Sequence, residues 1–223
     1  MLRIKLTLLT LIISACATVS NSDVILLDSK PINAKSGNIL ENQLKETPID
    51  IWERIRRELT IKIPDDQIAA TSIYRERLYK NQSAVNRISK SGQRYLFHTL
   101  SRAQELDLPV ELALLPFVES EFDPYAKSVD GATGIWQFMP ATGKEWGLKS
   151  NWWYDGKKDV LASTEAALKF LSYLHQKFDE DWLLAMAAYN TGPTRVNRAI
   201  KKNKTQDKGI RFWDLDLPKE TTA

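Results

Sequence analysis

The sequence is poor in the residues that would let something other than packing hold it together or make it work. It has one cysteine, Cys16, so no internal disulfide can form. Its two histidines, His98 and His175, stand alone without ligand spacing, so no metal site is expected from them. Neither sign of charge dominates: without residues 1–15, which carry Arg3 and Lys5, 29 basic side chains face 28 acidic ones. Apart from Lys201, Lys202 and Lys204, the cations are spread among Asp and Glu, and this speaks against nucleic acid as a partner. Segments alternating with a period of two are scarce, so few strands are expected. The apolar run from Leu6 to Ile13 is too short to span a bilayer as a helix.

What is present is an ordinary folding composition, 43% apolar and 26% charged, in 223 residues, enough for one well-buried domain and a tail. Residues 1–15 carry two cations and then the apolar run, the layout of a signal peptide. Ile13-Ser14-Ala15-Cys16 resembles the lipobox of bacterial lipoproteins, in which the cysteine is acylated and becomes the mature N-terminus. The plain alternative is a buried N-terminal helix with an incidental thiol. Ala17 in place of Asp resembles lipoproteins sorted to the outer membrane, so the expected site is the cell envelope, facing the periplasm and anchored in outer-membrane lipid through Cys16.

Residues 16–48 are rich in Ser, Asn, Lys and Asp and form a tether, with Val24 to Leu27 as a stray strand at most. Residues 49–106 form an N-terminal helical region. Ile51, Trp52, Ile55 and Leu59 share one helix face behind Asp50 as a cap. The spacing predicts further helices over Thr71 to Ile88 and Ser91 to Leu106. Residues 107–223 begin with the apolar stretch Val110 to Val118, in which Pro116 must kink a helix or start one. Asp159 to Phe178 and Trp182 to Tyr189 complete the helices, and the domain is mainly α. Between them, Asp123 to Gly156 is dense in Pro, Gly and aromatic residues, a length at which loops tend to carry function.

Glu119 emerges from the most apolar stretch after the leader. Desolvation there would raise its pKa and suit it to act as a general acid. Spacing alone leaves a solvated or ion-paired carboxylate equally open. Its neighbours narrow the choice. Val118-Glu119-Ser120-Glu121-Phe122-Asp123-Pro124, then Gly134-Ile135-Trp136-Gln137-Phe138-Met139-Pro140, then Ala187-Ala188-Tyr189-Asn190-Thr191-Gly192 resemble three ordered motifs of the lytic transglycosylases, most like their membrane-bound D group. The similarity extends to Phe212-Trp213 and to Leu217-Pro218-Lys219-Glu220-Thr221.

That resemblance implies a lysozyme-like, goose-type fold with an N-terminal helical extension, and a monomer acting on peptidoglycan glycan strands. It implies Glu119 as the one catalytic acid and base, cleaving between N-acetylmuramic acid and N-acetylglucosamine and leaving 1,6-anhydro ends, with no metal and no cofactor required. Ser120, Ser128, Gln137, Met139, Tyr189 and Asn190 match substrate-binding positions. Plain structural roles also exist: Ser128 as a turn cap before Asp130-Gly131, Met139 as core, Tyr189 as the end of a buried helix. Glu121, read on a helix, is rotated off the face of Glu119 and is no dependable second catalyst. Trp136, Trp146, Trp152, Trp153 and Tyr154 crowd the central loop, where aromatic faces suit pyranose rings and also core packing. Members of the group usually continue past the Lys-Glu-Thr motif into a further helix and often into wall-binding repeats, whereas this sequence stops at Ala223. The alternatives are a lysozyme-type hydrolase that uses water and a non-catalytic peptidoglycan-binding lipoprotein.

Overall fold

The computed structural model describes residues 50–218 and Thr221. The leader, Cys16, the tether and the Val24 to Leu27 stretch lie outside the described residues. The elements in order are α1 (Ile51–Glu58), α2 (Asp65–Lys80), α3 (Gln82–Gly92), α4 (Leu96–Glu105), a 3-10 segment (Val110–Leu114), α5 (Leu115–Ser120), α6 (Pro140–Glu145), α7 (Val160–Lys177), α8 (Trp182–Thr191), α9 (Pro193–Thr205) and a second 3-10 turn (Phe212–Asp214). Among the described residues, β pairing is limited to isolated bridges such as Lys127 with Thr133 and Ser150 with Asp155. The mainly α expectation holds.

The central helices start where their caps dictate. The Asp159 carboxylate accepts from the Leu161 and Ala162 amides at 2.9 and 3.0 Å, satisfying two of the free donors that open α7. Those backbone bonds, chiefly from Ala162, hold its pKa below the ordinary value. Asp181 does the same for α8 through the Leu184 amide at 3.0 Å. Asp50 occupies the N-cap position of α1 but makes no such side-chain bond. Gly192, at φ 90°, ends α8, and Pro193 opens α9 immediately afterwards.

The helices depart in places from those predicted by apolar spacing. The helix expected from Thr71 to Ile88 is two helices, broken at Asn81, whose side-chain oxygen accepts from the Ser83 hydroxyl at 3.0 Å. Such a local bond competes with helix continuation, and hydrophobic spacing does not register it. Helix α4 begins at Leu96 and not near Ser91, because α3 ends at Gly92, which lies flat against Phe117. A Cβ on Gly92 would come within 2.5 Å of that ring. Helix α9 was not expected from the sequence: only Val196, Ala199 and Asn203 are buried, too narrow a stripe to stand out among its cations.

One core runs through α1, α4, the first 3-10 segment, α5, α7, α8 and α9. Helix α8 lies at its centre, with Leu184 to Ala188 all buried. Phe117 of α5 stacks on Trp52 of α1 at 5.7 Å and meets Phe122 edge-on at 4.6 Å, so the N-terminal helix shares this core. Glu111 sits fully buried inside the apolar run, where one carboxylate oxygen accepts from both the Thr60 and Ile61 amides at 2.6 Å. It ties the strap after α1 to the floor on which α5 rests.

Candidate active site

Pro116 starts a new helix. It falls in the first turn of α5, where its missing N–H is no loss, and so Val118 is buried while Glu119 faces the edge of the core. The helix then ends abruptly. Glu121 and Phe122 both adopt left-handed backbone, φ 53° and 59°, which returns Phe122 to the core and throws Glu121 outward. The Glu121 carboxylate is gripped by the Arg87 guanidinium through two bonds, 2.9 and 3.0 Å. Asp123 is exposed and accepts from the Tyr125 amide at 2.9 Å. Both acids that follow Glu119 are therefore engaged elsewhere.

Glu119 itself is half-buried, and burial among apolar groups pushes its carboxyl pKa up to about 7. A hydrogen bond from the Asn190 side chain works in the opposite direction by favouring the carboxylate. Tyr189, the preceding residue on α8, donates its phenol hydrogen to the Trp136 carbonyl at 2.8 Å. Burial, and then the charge of Glu119, raise the Tyr189 pKa well above its ordinary value, so the phenol stays neutral. Its ring meets Phe170 at 5.4 Å and Phe138 at 6.2 Å. Glu119, Tyr189 and Asn190 are thus brought together from α5 and the C-terminal end of α8.

The central motif forms the adjoining wall. Ser120 donates to the Ile135 carbonyl at 2.9 Å, fastening the end of α5 to that motif. Gly134, at φ 83°, lies so close to the Lys157 carbonyl that a Cβ would sit 1.8 Å from its oxygen. Gln137 has left-handed backbone, φ 47°, and its side-chain amide donates to the Gly134 carbonyl at 2.9 Å. Met139 is 42% exposed, just ahead of α6. The Ser128 hydroxyl accepts from the Ala132 amide at 3.0 Å and closes the turn around Asp130 and Gly131. Ser120 and Ser128 thus each have a structural bond, while Met139 is open to solvent.

The loop tryptophans divide. Trp136 is fully buried and donates from Nε1 to Thr164 at 3.0 Å, and Trp146 packs on Phe170 at 5.0 Å. Trp152 and Trp153 are 94% and 71% exposed. His175 stacks on Trp182 at 3.8 Å, and no group of three or more His, Cys, Asp or Glu side chains among the described residues could hold a metal ion.

Two contacts around the site do not follow from spacing in the sequence. Arg87 lies far from Glu121 along the chain, and nothing in their spacing pairs them. Thr221 is fully buried and donates to the Asn190 side-chain oxygen at 2.9 Å. The signal for the second was the Lys219-Glu220-Thr221 similarity, which named the segment without giving it a role.

A half-buried acid with a pKa near neutrality, flanked by an amide and a neutral phenol in a helical domain, is an arrangement suited to general acid–base chemistry. The chain belongs to the transglycosylase SLT domain family, which matches residues 97–212, more than half of its length. Over 172 residues it is 42% identical to the membrane-bound lytic murein transglycosylase D of Escherichia coli, covering 77% of this chain and 38% of that protein. It is 31% identical over 124 residues to the soluble lytic murein transglycosylase of Salmonella typhimurium, covering 52% of this chain and 19% of that one. The X-ray structure of an inactive mutant of the lytic transglycosylase Slt from Pseudomonas aeruginosa aligns with 49% of this chain and 18% of its own, at 27% identity and a TM-score of 0.39. The chain therefore spans well under half of the length of these relatives. No helix among the described residues is long and apolar enough to cross a membrane.

Proposed function

We propose that this protein is a lytic transglycosylase that cleaves the glycan strands of peptidoglycan, with Glu119 as its single acid and base. The observation that carries the proposal is the Glu119 environment: a carboxyl held near half-protonation at neutral pH, with its two acidic neighbours committed to Arg87 and to the Tyr125 amide.

Glu119 gives its proton to the glycosidic oxygen as the bond from C1 of N-acetylmuramic acid to O4 of N-acetylglucosamine breaks. The resulting carboxylate then takes the proton of the muramic acid C6 hydroxyl as O6 bonds to C1, which leaves a 1,6-anhydro ring and returns Glu119 to its starting state. Burial favours the protonated form for the first step, and the Asn190 amide steadies the carboxylate for the second. A nucleophile carried within the substrate gains the high effective concentration of intramolecular reactions, so a second carboxylate is not required. Gln137 and Met139 are suited to line the cleft floor. Ser120 and Ser128, whose hydroxyls have backbone partners, support its shape more than they bind sugar.

Anchoring to outer-membrane lipid through acylated Cys16 is part of the proposal and rests on the signal-like sequence ahead of it. Incorporation of labelled fatty acid that is lost in Cys16→Ala supports it; equal labelling of both proteins overturns it. The reaction is tested by digesting purified sacculi with the wild type and Glu119→Gln and analysing the products by mass spectrometry. The wild type should yield anhydro-muramyl ends, and Glu119→Gln should be slower by about a hundredfold or more. Reducing ends would identify hydrolysis by water instead. Equal low rates from both proteins, with binding intact, would leave a wall-binding protein without catalysis.

A further inference from the structure

We propose that Thr221 is a positioning residue of the active site: its hydroxyl anchors the oxygen of the Asn190 side chain and so keeps the amide N–H turned toward Glu119. The inference deepens the function proposed above and rests on it.

The Asn190 amide has one accepting end and one donating end of nearly the same shape, so its orientation depends on its partners. The oxygen end is occupied by the Thr221 hydroxyl at 2.9 Å. The other end meets Glu119. Reversing the amide would set its oxygen against the carboxylate, a repulsive contact at the moment Glu119 must carry charge. Without Thr221, the Asn190 oxygen would lose this donor, and the amide would no longer be held in the orientation that bonds Glu119.

The fold brings Thr221 to this place along a definite path. Asn203, near the end of α9, donates to the Gly209 and Asp214 carbonyls, both at 2.8 Å, and so pins the returning chain. Phe212, Leu215 and Leu217 are buried as that chain crosses back over the core. The Thr221 amide then bonds the Pro218 carbonyl at 2.8 Å, and Thr221 is 0% exposed. A threonine carried across the core to the side chain that bonds the catalytic acid has a more specific task than ending a segment.

The test compares Thr221→Val, which keeps the shape but removes the hydroxyl, with Thr221→Ser, which keeps the hydroxyl, and with Glu119→Gln. All are made in the full chain and assayed on purified peptidoglycan across pH. In Thr221→Val, kcat should fall on the order of tenfold with little change in KM. The alkaline limb of its rate profile should move to higher pH, because the carboxylate loses the amide that stabilises it. Thr221→Ser should restore most of the rate and the original limb. Because the fold weakens as pH rises, general destabilisation would move the limb to lower pH, so a displacement to higher pH separates positioning from destabilisation. A wild-type profile in Thr221→Val, or equal losses in both Thr221 variants with no displacement of the limb, overturns the inference. An active Glu119→Gln would instead overturn the reading of the whole site.

Discussion

The phenol of Tyr189 hydrogen-bonds the backbone carbonyl of Trp136 across 2.8 Å, joining the end of α8 to the central motif. The carbonyl it holds belongs to the residue just before Gln137, whose left-handed backbone is the kind of conformation that persists only when its surroundings enforce it. The phenol is thus a strut, and with its pKa raised by burial and by Glu119 it does not serve as a base near neutrality.

Removing the strut in Tyr189→Phe deletes one hydrogen bond but leaves the ring against Phe138 and Phe170. Stability should fall by about 1 kcal/mol, roughly 3 °C in the thermal midpoint for a protein of this size. Turnover should fall further than that suggests, by about tenfold, because the wall beside Glu119 loses its tether. Calorimetry and peptidoglycan digestion measure the two effects separately. Normal turnover alongside a lowered midpoint would show that the strut serves stability only.

The raised pKa of Glu119 makes stability depend on pH in a fixed direction. A carboxyl raised from its ordinary value of 4.5 to about 7 in the fold binds its proton more tightly there than in the unfolded chain. Below about pH 4.5 both states are protonated and nothing is lost. As pH rises from there through 7, the unfolded chain ionises freely while the fold resists, and stability declines. Glu119→Gln removes the penalty, so the variant should be more stable than the wild type by roughly 1–3 kcal/mol at pH 8 and nearly equal to it at pH 4. Thermal melts of both proteins at the two pH values give the answer. A gain of the same size at pH 4 would mean that packing, not ionisation, is responsible.

Glu121 is a sharper test of the single-acid chemistry. Its carboxylate is held by Arg87 on the surface, with the two side chains 27% and 62% exposed, and an ion pair in such a setting contributes about 0–1 kcal/mol. Glu121→Gln should therefore keep nearly all of the wild-type turnover and melt within about 3 °C of it. A loss approaching that of Glu119→Gln would make Glu121 a working partner and would point to two-carboxylate chemistry.

What the sequence made legible followed from local signals. The apolar run ahead of Glu119, the break at Pro116, the apolar stripes of α1, α7 and α8 and the mainly α character all depend on residues within a turn or two of one another, whereas the one cap read there, Asp50, makes no capping bond. What it left hidden depends on distant partners. Spacing did not show that α4 would be delayed by the contact of Gly92 with Phe117, nor that Glu111 would accept from the amides of Thr60 and Ile61. Glu119 and Tyr189 were legible through their motifs, but their environment was not. The link from Thr221 to Asn190 spans 31 positions and joins two motifs that otherwise read as separate.

Gly134 shows how tightly the wall beside Glu119 is built, and Gly147 provides a matched comparison. Both have positive φ, 83° and 84°, so alanine at either position meets a similar backbone penalty of about 1 kcal/mol. Their surroundings differ completely: a Cβ at Gly147 meets nothing within 4 Å, whereas at Gly134 it would lie 1.8 Å from the Lys157 carbonyl oxygen. Gly147→Ala should lose only that penalty and keep its turnover. In Gly134→Ala the backbone of residues 134 and 157 must separate, and because Ser120 bonds Ile135 and Tyr189 bonds Trp136, the displacement reaches Glu119 from two sides. Its stability loss should be about 3 kcal/mol or more, with turnover reduced beyond that of Tyr189→Phe. Denaturant unfolding and digestion rates of the two alanine variants measure the difference, and equal behaviour would mean that the close approach to Lys157 does not shape the site.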